Sequence, residues 1–147
     1  MMNKVFTGVL IVGALMLAAC GASPTPSSAD KPGKTVSVDG GTYTDITVPE
    51  LESMFEDKDF TFVNVHIPFE GDIPNTDLSI PFDQIDQNLD QLPAEKDAKI
   101  VLYCRSGNMS SAASKTLVGM GYTNVWNLEG GFNAWKAAGL PLEGLNQ

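Results

Sequence analysis

The sequence predicts an α/β domain: a mostly parallel sheet covered by helices on both faces. Three observations point there. Strand-like and helix-like segments alternate from about residue 42 to residue 139, the pattern left by crossovers between parallel strands. The run Lys99-Ile100-Val101-Leu102-Tyr103 is almost continuously apolar, as a strand buried on both faces must be. Several segments also stop at Pro68, Pro93, Gly121 or Gly139, residues that break strands and helices.

Taken in order, Thr42 to Thr47 reads as a short strand. Thr47-Val48-Pro49-Glu50 reads as a capping box with proline in the first turn. Leu51, Met54 and Phe55 then form the apolar stripe of a helix. Asp59 to Ile67 alternates apolar and polar residues and predicts a strand ended by Pro68. A loop containing Gly71 and Pro74 leads to a short strand at Leu78 to Ile80. Phe82, Ile85, Leu89 and Leu92 recur at helical spacing up to Pro93. The buried run at 99–103 follows, then a helix over Ser110 to Met120 with Ala113, Leu117 and Met120 on one side. Val125 to Leu128 is the next strand. Gly130-Gly131 turns into a last helix that carries Phe132 and Trp135 inward and ends at Gly139.

The chain has 147 residues, room for one domain, and 43% of them are apolar. Lys and Arg number 9 against 18 Asp and Glu, a net charge of −9. That balance argues against nucleic acid as a partner, because phosphates need basic patches. It equally argues against a domain lying flat on anionic lipid.

The first residues read as a targeting segment. Lys4 precedes an apolar run that begins at Val5 and, with Ala18 and Ala19, reaches 15 residues. This is shorter than the roughly 20 needed to span a bilayer and suits the apolar region of a signal peptide. It ends in Leu17-Ala18-Ala19-Cys20-Gly21. That pentapeptide resembles the lipobox of bacterial lipoproteins, which implies cleavage after residue 19 and a diacylglyceryl group on Cys20. Cleavage would remove 19 residues and Lys4, taking the net charge from −9 to −10. Residues 21–35 hold three Pro, three Ser and two Gly but no large apolar side chain, so burial cannot offset their ordering entropy. The expected organisation is a signal peptide over 1–19, a lipidated Cys and flexible linker over 20–40, and a folded domain over 41–147. The 20 residues from Gly21 to Gly40 would give a root-mean-square reach of about 25 Å. The expected location is the extracytoplasmic face of a bacterial membrane, or its periplasmic face where an outer membrane exists.

With Cys20 assigned to lipid, Cys104 has no partner for an internal disulfide. An odd thiol in an exported chain is expected to be reactive or to pair between molecules. Cys104 follows the buried strand and precedes a helix, and sites in α/β sheets form at the carboxyl ends of strands. Arg105-Ser106-Gly107-Asn108-Met109 can curl around the sulfur, because Gly107 and Asn108 tolerate positive φ. Inward N–H groups, the positive end of the next helix and Arg105, the chain's one arginine, would then favour the thiolate, which is the nucleophile. Such chemistry needs neither metal nor organic cofactor. Cys104 is thus the candidate nucleophile, and Arg105, Ser106, Gly107, Asn108 and Met109 the candidate substrate-binding residues.

Tyr103-Cys104-Arg105-Ser106-Gly107-Asn108, with Asn127-Leu128-Glu129-Gly130-Gly131-Phe132-Asn133-Ala134-Trp135 and Gly139-Leu140-Pro141, resembles single-domain rhodanese-like sulfurtransferases from about Thr42 to Leu142. The resemblance implies a five-stranded sheet between helices and a catalytic Cys104. This cysteine would take sulfane sulfur from a donor such as thiosulfate and pass it to a thiol or cyanide. Two positions depart from the family pattern. A second arginine, often five places after the cysteine, is Met109 here. The usual Asp-x-Arg at the end of an early strand reads Asn64-Val65-His66. His66, the only histidine, reads as a structural residue at a strand end or as an acid or base near Cys104. Glu129, Trp126 and Trp135 read as packing and turn residues.

Three functional classes follow. The first is a sulfurtransferase that carries a Cys104 persulfide to a thiol acceptor. The second is a phosphatase, which needs an arginine six places after the cysteine to hold phosphate bidentately; Ser110 stands there and disfavours it. The third is a non-catalytic rhodanese-like binding module or a thiol redox relay, favoured by the two missing arginines.

Overall fold

The computed structural model describes residues 32–145. The expected signal peptide, Cys20 and most of the linker lie outside them. Among the described residues no helix is long and apolar enough to cross a membrane.

Six strands form one sheet: β1 (Lys34–Val38), β2 (Gly41–Ile46), β3 (Thr61–Asn64), β4 (Leu78–Ser79), β5 (Ile100–Tyr103) and β6 (Val125–Leu128). Their spatial order is β1-β2-β6-β5-β3-β4. β1 and β2 make an antiparallel hairpin, and every other pair is parallel. The helices are α1 (Val48–Phe55), α2 (Asn108–Gly119) and α3 (Gly131–Ala137).

Alternation along the central strands sends neighbouring side chains to opposite faces. Val63, Val65, Leu102 and Cys104 share one face with Ala113, Leu117 and Val118 of α2. Phe62, Val101 and Tyr103 share the other with Leu51 of α1 and Phe132 and Trp135 of α3. Helices therefore cover both faces, as expected. Aromatic rings dominate the second face: Phe62 and Tyr103 have centroids 4.7 Å apart, and Phe55 meets Phe62 edge-on at 5.4 Å. Each such side chain contributes about 1.5–3 kcal/mol by burial.

The capping box at the start of α1 is present. The Glu50 carboxylate accepts the Thr47 backbone N–H at 2.7 Å, the Thr47 hydroxyl at 2.8 Å and the Gly33 N–H at 2.8 Å. The last bond pins the base of the β1–β2 hairpin to the helix.

The structure corrects the sequence reading in three places. The sheet has six strands rather than five, because Lys34–Val38 pairs with β2 inside the stretch expected to be linker; the folded part thus begins before residue 41. The segment expected to be a helix up to Leu92 is two 3-10 turns, Phe82–Gln87 and Leu89–Gln91. Asn88 divides them: its backbone leaves the helical region at φ −123°, and its side-chain amide donates to the Gln84 carbonyl at 2.8 Å. That is the local competition asparagine offers a helix. Finally, β3 stops at Asn64, although Val65 still donates to the Tyr103 carbonyl at 2.9 Å.

Candidate active site

β5 lies between β6 and β3, and all four of its residues are buried. Its carboxyl end delivers Cys104, itself buried and free. The chain then turns sharply through Arg105 and Ser106 to Gly107, whose φ of +97° belongs to the region glycine enters without strain. The turn brings the Gly107 N–H to 3.1 Å from Cys104 Sγ. The Ser110 hydroxyl, from the first turn of α2, lies 3.5 Å from the same sulfur and 3.2 Å from the Gly107 carbonyl, and its single proton serves one of these acceptors at a time. One loop amide and one hydroxyl thus face the sulfur.

The outside of the loop is held by α3. Phe132 N–H donates to the Cys104 carbonyl at 2.9 Å and Asn133 N–H to the Arg105 carbonyl at 3.0 Å. So close an approach requires Gly131: a Cβ there would stand 2.0 Å from the Cys104 carbonyl oxygen. The Gly-Gly-Phe segment is therefore the clamp on the cysteine loop.

A cleft of about 300 Å³ lies against the buried cysteine, lined by His66, Cys104, Arg105, Ser106, Asn108 and Met109. Ser106 and Asn108 are exposed at its rim, and Met109 is half-buried against the core. Arg105 lines the same cleft and is held by an acidic neighbour. Its side chain is 57% exposed, and Nη1 stands 3.6 Å from Glu70 Oε2. The same carboxylate oxygen lies 2.7 Å from His66 Nε2. The His66 ring is buried edge-on against Phe132, centroids 5.3 Å apart, and its Nδ1 has no hydrogen-bond partner.

The loop carrying Glu70 is fixed from beneath. Asn64 Nδ2 donates to the Gly71 carbonyl at 3.1 Å and to Asp72 Oδ1 at 2.9 Å, while Asn64 Oδ1 accepts the His66 N–H at 3.0 Å. The Tyr103 hydroxyl accepts the Ile73 N–H at 3.0 Å and donates to Asp72 at 3.1 Å. Burial pushes that hydroxyl well above its ordinary pKa, with smaller opposing effects from Thr76 and the Ile73 amide; it stays a proton-bearing strut. Asp72 also exchanges two backbone bonds with Glu143. A second groove of about 720 Å³ shares Arg105 with the cleft. Glu70, Arg105, Phe132, Lys136, Leu140 and Leu142 are among its walls.

Sequence reading singled out Cys104 and the five residues after it. It missed Ser110 as a sulfur ligand and Glu70 as a partner of both His66 and Arg105. The spacing of Glu70 four places after His66 was a faint signal, obscured because Pro68 lies between them. Among the described residues no group of three or more His, Cys, Asp or Glu side chains is placed to hold a metal ion.

A thiol in a tight loop at the end of a central parallel strand, clamped by the next helix but one, defines a cysteine-centred α/β domain. The chain belongs to the rhodanese-like domain family, whose model matches residues 47–138, more than half of it. A sulfurtransferase of Allochromatium vinosum is 35% identical over 94 residues, covering 62% of this chain and 85% of that protein. A tRNA uridine(34) hydroxylase of Erwinia tasmaniensis is 32% identical over 114 residues, 71% of this chain but 32% of the longer relative. Among solved structures, a rhodanese-related protein from Thermoplasma volcanium superposes with a TM-score of 0.58 at 30% identity, covering 69% of this chain and 98% of that one.

Proposed function

We propose that the protein is a lipid-anchored, extracytoplasmic sulfurtransferase that moves sulfane sulfur through a persulfide on Cys104. The observation that carries this reading is the Gly107 N–H aimed at the sulfur at the carboxyl end of the central strand, with the Ser110 hydroxyl within reach to turn its proton there when the sulfur is anionic. Hydrogen bonds of that kind stabilise an anionic sulfur. The Cys104 thiolate attacks the sulfane sulfur of the donor, and the donor's S–S bond breaks with its electron pair on the leaving group. From thiosulfate this yields the Cys104 persulfide anion and sulfite. An acceptor thiolate then attacks the outer sulfur of the persulfide in its protonated form. The Cys104–sulfur bond breaks, the acceptor leaves as a persulfide, and Cys104 returns to the thiolate.

The sulfurtransferase relative supports this class of reaction, and its match covers most of that protein. The anchor is supported by Leu17-Ala18-Ala19-Cys20-Gly21, since two or more acyl chains hold a protein stably on a membrane whereas one does not. A sulfur donor and a thiol acceptor are the partners implied. The test is the mass of Cys104 after incubation with a sulfane donor: a gain of about 32 Da, one sulfur atom, is expected. No gain with thiosulfate or with any persulfide overturns the reading. That result would favour a binding module or thiol relay, a second reading favoured by the contact of Arg105 with Glu70 and by Met109 at the cleft.

A further inference from the structure

We propose that Glu70 sets the charge of the sulfur donor. The site takes sulfane donors carrying one negative charge or none, with an apolar substituent, and discriminates against dianions such as thiosulfate. This names the substrate class of the proposed sulfurtransferase and rests on that reading.

Arg105 is the chain's one arginine, and no lysine lines the cleft over Cys104. Its guanidinium stands 3.6 Å from Glu70, so its charge is already offset before any donor arrives. His66 holds the carboxylate in that place. Because His66 Nδ1 is buried without a partner, the neutral ring carries its proton on Nε2 and donates it to Glu70 at 2.7 Å. A proton on Nδ1 would instead be a buried donor left unsatisfied. His66 Nε2 thus holds the Glu70 carboxylate beside Arg105.

Arg105 lines the cleft that holds Cys104, and Glu70 stands 3.6 Å from its guanidinium, so a donor bound beside Arg105 meets the field of that carboxylate. The repulsion scales with the donor's charge, and a dianion meets twice that of a monoanion. Glu70 and Arg105 both line the groove of about 720 Å³, and Arg105 is shared with the cleft that holds Cys104. Its walls include Phe132, Leu140, Pro141 and Leu142. The groove's other cation, Lys136, lies over the Phe132 ring at 5.2 Å. A monoanionic donor can set its single charge near Arg105 and its apolar part in the groove.

The experiment compares thiosulfate with benzenethiosulfonate, which presents the same sulfane sulfur with one charge fewer and an aromatic ring. In both cases the Cys104 thiolate bonds to the sulfane sulfur and the S–S electron pair leaves, on sulfite or on benzenesulfinate. The full-length protein is assayed with one acceptor thiol at low ionic strength, where exposed charges are least screened. Glu70→Gln is expected to raise kcat/KM for thiosulfate about tenfold and that for benzenethiosulfonate less than about threefold. Glu70→Asp keeps the charge and is expected to keep the wild-type ratio of the two donors. Equal effects on both donors, or none, overturn the proposal, as does an Asp variant that moves the ratio as far as Gln does. If neither donor puts sulfur on wild-type Cys104, the sulfurtransferase reading fails and this inference with it. If both load and Glu70→Gln leaves their ratio unmoved, the inference about Glu70 fails alone.

Discussion

The carbonyl oxygen of Cys104 accepts the Phe132 N–H at 2.9 Å across a glycine, Gly131, whose absent Cβ would lie 2.0 Å from that same oxygen. The loop that shapes the sulfur site is therefore held by backbone contact with the start of α3. Gly131→Ala is expected to force this contact apart, costing about 1–3 kcal/mol of stability. Equilibrium urea unfolding measures the loss. In the folded fraction the Cys104 loop should be displaced, and transfer of sulfur to a thiol should slow more than about tenfold. An Ala variant with wild-type stability and turnover would show that the two segments separate freely.

Met109 lines the cleft where a second arginine often stands in rhodanese-like sequences. One charge-assisted hydrogen bond contributes about 1.5–3 kcal/mol, roughly one to two decades in rate. Met109→Arg is thus expected to raise kcat/KM for thiosulfate about tenfold or more, and to act less on a donor of lower charge. Unchanged thiosulfate turnover in a folded variant would mean that a side chain at 109 does not reach the donor.

Cys20 lies outside the described residues, and its role is tested in cells. Cys20→Ala is expected to leave the chain unprocessed and without acyl groups. Detergent-phase partitioning and the mass of the mature N-terminus read the result. Partitioning identical to wild type, with the same N-terminus, would remove the lipid anchor from the reading.

Glu50 gives the acid side of the stability curve a definite direction. The Thr47 N–H holds its carboxyl below the ordinary value of 4.5, with partial burial opposing and the Thr47 hydroxyl and Gly33 N–H assisting. A carboxyl whose pKa is lower folded than unfolded stabilises the fold above its unfolded value. That contribution is lost as pH falls through the folded value. Melting temperature should therefore drop as pH is lowered from about 5 to about 3, and Glu50→Gln should flatten part of that slope. Near neutrality the variant should cost about 0.5–1 kcal/mol, since the carboxylate is largely solvated. An unaltered acid slope would show that Glu50 does not contribute to it.

The sequence made the middle of the fold legible because burial there leaves a mark on composition. Ile100 to Tyr103 cannot be apolar throughout unless both faces are covered, and the Cys104 loop sits where such a strand must end. β1 left no such mark. Lys34 to Val38 is mostly exposed at the sheet edge, and Pro32 and Gly33 beside it read as linker. The spacing of Phe82, Ile85, Leu89 and Leu92 fits 3-10 turns as well as a helix, and only the backbone at Asn88 decides between them. In the site, Cys104 and its loop followed from the rarity of the thiol and the glycine after it. Glu70 did not, because a loop has no period and a carboxylate in an acidic chain carries no signal of its own. What singles it out is two distances, to His66 and to Arg105, that only the folded chain contains.

On the proposed function, whatever exchanges sulfur with Cys104 must reach a buried side chain. The thiol has no exposed surface, while Arg105, Ser106 and Asn108 stand around it in solvent. A bound sulfur extends outward by only about 2 Å, the length of one S–S bond. β5 is locked on both sides and the loop is clamped by α3, so the sulfur has no arm on which to swing. Traffic is one-sided: the partner must reach in. On that reading a partner thiol has to pass Arg105, Ser106 and Asn108 before it meets the sulfur, which suits a small molecule or a cysteine on a projecting loop better than one on a flat face. The fold is in this sense a calliper, and what it measures is how far a partner's sulfur protrudes.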